Sequence, residues 1–196
     1  MNKAIDFFKR VAESSDQDIR KIISYHEYIR FKKFDLLLEQ GQVEKYLYFL
    51  KEGVLRSFIT KERDDKLKET TFNFVFPGSF FSSYDSFLKQ EPCLYSTECL
   101  TDVEVFRVSY ENIQKIYNET DSGEKIGRIS AEQLYMRKKR RELSLLTETV
   151  DERYLYLVEN YPQWLQEIPL KYLASYIGVT PQALSNIRGR VYKSKK

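Results

Sequence analysis

Residues 170–190 leave the end of this chain few folds to choose from. Leu170, Leu173 and Ile177 fall on one face of a short helix, and Ala174 is small where a second helix must cross it. Gly178 suits a tight turn with positive φ, which a Cβ would resist. Val179 fills that turn, Thr180 caps a following helix, and Pro181 suits its first position. Leu184 and Ile187 then face back toward the first helix. This is the pattern of a helix-turn-helix. It marks Thr180, Gln182, Ala183, Ser185, Asn186, Arg188, Arg190 and Lys193 for contact with base edges or phosphates. From Lys171 to Lys196 there are six Lys or Arg residues and no Asp or Glu. An ordinary αα-hairpin explains the apolar spacing but not the missing acids. A DNA-reading surface explains both.

The remaining composition excludes more than it assigns. The 196 residues allow two small domains or one larger one, and a net charge of +3 is unremarkable. The N-terminus reads as an amphipathic helix start rather than a signal peptide, and no apolar run reaches transmembrane length. A cytoplasmic location without a membrane partner is expected. Cys93 and Cys99 are the only cysteines and His26 the only histidine, too few for a four-ligand zinc or iron–sulfur site. Both thiols are expected free, and His26 is expected on the surface of an N-terminal helix. No metal, cofactor or catalytic residue is assigned. One histidine also argues against a metal-dependent enzyme on a cupin-like scaffold.

Hydrophobic periodicity divides the chain. Short helices are expected from about Lys3 to Tyr25. Between Tyr28 and Tyr110, short apolar-aromatic runs suit β-strands, separated by turn signals at Gly41, Gly53, the charged residues 61–68 and Pro77-Gly78. Helical spacing returns at residues 112–117 and again from Ser122 to about Leu146. In that long helix Ile126, Ile129, Gln133, Met136, Arg140 and Leu143 alternate three and four apart, a coiled-coil seam with two polar members. Ile126, Ile129, Gln133 and Met136 are therefore expected at a homodimer interface, while Leu134, Leu145 and Leu146 offer a second apolar face. The five bases at 137–141 are expected on a solvated face. Thr149-Val-Asp-Glu152 reads as a capping box opening another helix, which Pro162 ends.

The fold class is thus α+β: an N-terminal sandwich or roll at 1–121, which the resemblance below makes a double-stranded β-roll, a long dimerisation helix at 122–148, and a helix-turn-helix unit at 149–196 without room for a full wing. Four segments in this order resemble the Crp/Fnr family of transcription regulators. They are Leu38-Glu-Gln-Gly41 with Leu47-Tyr-Phe-Leu-Lys-Glu-Gly53-Val-Leu-Arg56; Phe76-Pro-Gly-Ser-Phe-Phe81; Cys99-Leu-Thr-Asp-Val-Glu-Val-Phe-Arg-Val-Ser-Tyr110; and Leu173-Ala-Ser-Tyr-Ile-Gly-Val-Thr180. The short tail and abundant tyrosine are similar to the Bacteroidetes type. The resemblance implies a cyclic-nucleotide-binding-like roll. It also implies an inverted-repeat DNA operator, a second copy of the chain and RNA polymerase as partners, and it leaves room for an unknown small-molecule effector.

The resemblance also exposes a departure. Cyclic-nucleotide-binding relatives hold the phosphate with an Arg-Ser pair and the ribose with a Glu, in a cassette after the Pro-Gly turn. Here Cys93 and Leu94 fall at the Arg and Ser positions and Ser83 near the Glu position. No Arg lies between Arg63 and Arg107, and the cassette's only base, Lys89, is expected in a loop. Cyclic AMP binding is not expected. The remaining effector pocket would be lined by Phe81, Ser82, Ser83, Tyr84, Tyr95, Ser96 and Thr97 and suit a neutral or apolar ligand. A roll filled by its own side chains is preferred over an open one. The rival to the DNA reading is a β-roll regulatory module whose terminal helices bind a protein.

Overall fold

The computed structural model describes residues 2–63 and 65–194. Two short helices, α1 (Asn2–Arg10) and α2 (Asp16–Ser24), precede the strands. Ser15 caps α2 by accepting the Asp18 N–H at 3.1 Å. One antiparallel sheet runs in the order β1 (Glu27–Phe31), β8 (Val103–Ser109), β3 (Tyr46–Glu52), β6 (Phe80–Phe81). The other runs β2 (Leu36–Leu38), β7 (Ser96–Cys99), β4 (Leu55–Arg63), β5 (Lys66–Val75). The strand pattern places Leu50, Leu55, Val103 and Val105 in the buried layer of the roll. A short helix, α3 (Tyr84–Lys89), links β6 to β7.

Several sequence expectations change here. The charged run 61–68 separates two strands as expected, but most of it is itself strand: β4 runs to Arg63 and β5 starts at Lys66, the two paired in register. Alternating charges suit a solvent-exposed two-stranded ribbon as well as a loop. Lys89 ends α3 rather than lying in a loop. His26 follows α2 and is half-buried, its Nδ1 2.7 Å from the Ile22 carbonyl oxygen; burial lowers its pKa. Cys93 and Cys99 are free and buried, and burial pushes the Cys99 thiol up to about 12.

After β8, α4 (Tyr110–Glu119) leads into the long α5 (Gly123–Thr147). Buried Asp18 fixes the corner between them by accepting the Ser122 N–H and hydroxyl at 2.9 and 2.6 Å. Gly127 lets α5 pass against Tyr117, whose hydroxyl would lie 2.7 Å from an added Cβ. Then come α6 (Val150–Asn160), α7 (Trp164–Glu167), α8 (Leu170–Ile177) and α9 (Pro181–Ser194). The Thr149–Glu152 capping box is present at the start of α6. Gly178 at φ 94° closes α8, and the Ala183 N–H donates to Thr180 Oγ at 3.2 Å to open α9.

The C-terminal helices do not hang free of the roll. One apolar core contains Val54, Phe74 and Leu100 together with Leu157, Trp164, Ile177 and Leu184. Trp164 packs edge-on to Phe74 and stacks on Phe76, both at 5.3 Å between ring centroids. The strand β5 meets α8 directly, and the Thr71 N–H donates to Ser175 Oγ at 2.9 Å.

Candidate DNA-reading helix and effector cleft

The proposed reading face is built from α8 and α9. Leu173, Ala174, Ile177, Leu184 and Ile187 are all buried between them and α6. That packing turns Thr180, Gln182, Ser185, Asn186, Arg188 and Arg190 outward, where each is exposed, while Ala183 is half-buried. Ser185 also donates to the Pro181 carbonyl oxygen at 3.1 Å, so its hydroxyl is shared with its own helix. Arg190 departs from the expected free anchor. Its Nη2 reaches both Asp151 oxygens, at 2.7 and 3.0 Å. The acid-free run gave no hint of this partner, because Asp151 lies on α6. Lys193 is on α9 with its side chain outside the described residues.

A cleft of about 1210 Å³ opens between the roll, α5 and the C-terminal helices. This open space lies beside the roll, between it and the helices. Six of the seven expected pocket residues line the cleft: Phe81, Ser82, Ser83, Tyr84, Tyr95 and Thr97. Ser96 does not. Strand alternation sends it to the opposite face, where its Oγ accepts the Gln40 N–H at 3.0 Å. Tyr95 meets Phe72 edge-on at 4.8 Å, and its hydroxyl donates to the Ser82 carbonyl oxygen at 3.2 Å. Burial pushes its phenol up to about 12.

The two residues expected at the phosphate-binding positions behave as their types dictate. The Cys93 thiol donates to the carbonyl oxygens of Glu39 and Tyr95, each at 3.2 Å, and Leu94 is largely exposed. Neither supplies charge. The buried ionisable side chain lining the cleft from the roll is instead an acid, Glu44, only 2% exposed. Burial raises its pKa to about 7, against the pull of the Tyr46 and Ser83 N–H groups and the Tyr48 hydroxyl.

Cations enter the cleft from α5. Gly127, Ala131, Leu134, Lys138, Arg141 and Leu145 recur every three or four residues along its lining face. Four of the five bases, Arg137 to Arg140, are exposed as expected, and only Arg141 is half-buried. Lys138 Nζ lies 5.2 Å from the Phe72 ring centroid, and burial lowers its pKa against the opposing charge of Asp85. Arg141 lies over Tyr176 at 3.9 Å and donates to the Tyr176 carbonyl oxygen, while its buried Nε has no partner among the described residues. Arg140 pairs with Glu148 at 2.7 Å and Lys139 with Glu142 at 3.2 Å.

Of the expected dimer seam, Ile126 packs against the core formed by α1, α2, α4 and the roll, and Ile129 is half-buried. Gln133 and Met136 are exposed, as is Leu143. Arg56 was not anticipated as a site residue. It lies 2% exposed in β4, with its Nη2 2.7 Å from Glu69 and 2.8 Å from Glu98. The only signal was one cation inside the apolar run 54–59.

Comparison with known proteins now has this geometry to rest on. Residues 28–120 match the cyclic nucleotide-binding domain family. No curated protein matches the sequence. Solved structures similar over most of the chain include the c-di-GMP responsive global regulator CLP of Xanthomonas campestris. It is 17% identical, with a TM-score of 0.70 over 92% of this chain and 93% of that one. FixK2 of Bradyrhizobium japonicum is also 17% identical, with a TM-score of 0.68 over 87% and 86%. The Thermus thermophilus catabolite activator protein is 17% identical, with a TM-score of 0.59 over 96% and 87%. At such identities the likeness is one of fold: a cyclic nucleotide-binding domain roll, a long helix and C-terminal helices. Among the described residues no helix is long and apolar enough to cross a membrane.

Proposed function

We propose that the chain is a homodimeric, DNA-binding transcription regulator whose cyclic nucleotide-binding domain senses an effector other than cyclic AMP. The observation that carries the DNA reading is the α8–turn–α9 geometry. It buries Leu184 and Ile187 and leaves Gln182, Asn186 and Arg188 exposed on a helix without acids. A helix docked through one face with amide and guanidinium side chains on the other suits the major groove.

The open cleft favours a sensing roll over a vestigial one. In this reading, the exposed side of α5 at Ile129, Gln133 and Met136 pairs with a second copy of the chain. Ile126 contributes at its edge, because part of it already packs on the roll. Two-fold pairing calls for an inverted-repeat operator with half-site centres one helical turn apart, roughly 34 Å. Selection from random duplex DNA, combined with sedimentation of the complex, tests this. An inverted repeat bound by two chains is the expected result. Enrichment of no sequence, with binding indifferent to salt, would instead favour a protein partner for the terminal helices.

A further inference from the structure

The cleft is apolar along the roll and cationic at α5. Its inner part is walled by Leu37, Leu47, Ile59, Val75 and Phe81, and the ionisable group there is the buried acid Glu44. At α5, Arg137, Lys138 and Arg141 all line it. Among the described residues, none of these three has a carboxylate within ion-pair distance, although Arg140 and Lys139 of the same run do. Arg137 and Lys138 are exposed at the mouth of the cleft, with the Asp85 carboxylate lining the same cleft but outside ion-pair distance, so an arriving anion finds two cations not held in salt bridges. A phosphate on the roll side of the cleft would meet the carboxyl groups of Glu44 and Asp85 and no Lys or Arg of the strands.

We propose that the cleft binds an amphipathic carboxylate, with its apolar tail against the roll and its carboxylate held at α5 by Lys138 and Arg137. The ring of Phe72 walls the junction, with the Lys138 ammonium 5.2 Å from its centroid and the Tyr95 ring edge-on to it. This arrangement reverses the polarity that a buried nucleotide phosphate needs. It rests on the reading of the roll as an effector sensor and names the chemical class of that effector.

The test is calorimetric titration of the purified full-length chain with decanoate, its uncharged amide, butyrate and cyclic AMP. Saturable binding of about one decanoate per chain is expected, at least tenfold tighter than either the amide or butyrate. The double variant Lys138→Gln/Arg137→Gln should lose at least tenfold in decanoate affinity, equivalent to about 1.4 kcal/mol. Lys139→Gln removes a charge from the same helix away from this contact and should bind as the wild type does. Equal binding of decanoate and its amide overturns the proposal, as does undiminished binding by the double variant. DNA affinity is measured separately. If decanoate binds as expected yet leaves DNA affinity unchanged, the ligand class stands and only the sensor reading falls.

Discussion

The Arg56 guanidinium stacks on the ring of Tyr172 at 3.9 Å from its centroid, joining a strand of the roll to the first helix of the α8–α9 pair. Its other face lies 4.0 Å from the centroid of Phe58, so the planar cation is sandwiched between two rings while it forks to Glu69 and Glu98. Only a guanidinium combines that stacking with two carboxylate partners.

Arg56→Met should therefore destabilise the protein by about 3 kcal/mol, since it leaves the largely buried Glu98 unpaired. Glu69 is half exposed and water replaces much of its loss. Urea unfolding measures the difference. Arg56→Lys should recover only part of it, because an ammonium cannot stack and fork together.

Cyclic AMP and cyclic GMP should bind weakly or not at all. By the family resemblance, Cys93 and Leu94 stand in for the phosphate-binding pair and neither is basic, while the buried acid Glu44 lines the cleft from the roll. Calorimetry giving low-micromolar cyclic AMP affinity would contradict this.

Substituting glutamate at both Ile129 and Met136 should produce monomers in sedimentation and abolish operator binding. Like charges would then face each other along α5 in place of apolar contacts. A doubly substituted protein that stays dimeric would place the interface elsewhere.

Asn186→Ala should relax preference at one base position, at a cost of about 1–3 kcal/mol, because Asn pairs with the N6 and N7 edge of adenine. Arg190→Ala should weaken all sequences alike and lower the salt slope by about one, or by less where Asp151 already holds the guanidinium. Asp151→Asn releases that hold and should tighten binding to every sequence. Binding selections on random DNA, repeated at two salt concentrations, separate the three.

Stability should fall as pH rises from about 4.5 to 7, through the titration of Glu44. The folded protein holds this proton to about pH 7 and the unfolded chain releases it near 4.5, so the native state binds more protons in that window. The contribution is on the order of 3 kcal/mol. Glu44→Gln keeps a neutral side chain at every pH, so the difference between the two unfolding profiles isolates it.

Much of the fold was legible because its signals are local. The cap at Thr149, the left-handed Gly178, the heptad-like run in α5 and the alternating strands each need only their neighbours in sequence. Six of the seven cleft residues followed from one cassette whose position a Pro-Gly turn announces. What escaped were relationships across the chain. Asp151 holds Arg190 from 39 residues away, and Glu98 holds Arg56 from 42. The run 137–141 looked uniform because helical rotation splits it, sending Lys138 toward Phe72 and Lys139 toward Glu142. Ser96 and Thr97 were grouped by adjacency, although a strand puts neighbours on opposite faces.

The bond from Thr71 to Ser175 has a consequence for the roll itself. β5 is the outermost strand of its sheet, and an uncovered outer strand offers its backbone to any passing chain. α8 lies along that margin and occupies one of its N–H groups, while Trp164 and Tyr176 shelter Phe74 beside it. The α8–α9 pair thus acts as a guard on the sheet. If the proposed DNA reading required these helices to swing away from the roll, an open sheet margin and an aromatic cluster would be bared together, and that form would need a new cover for the margin.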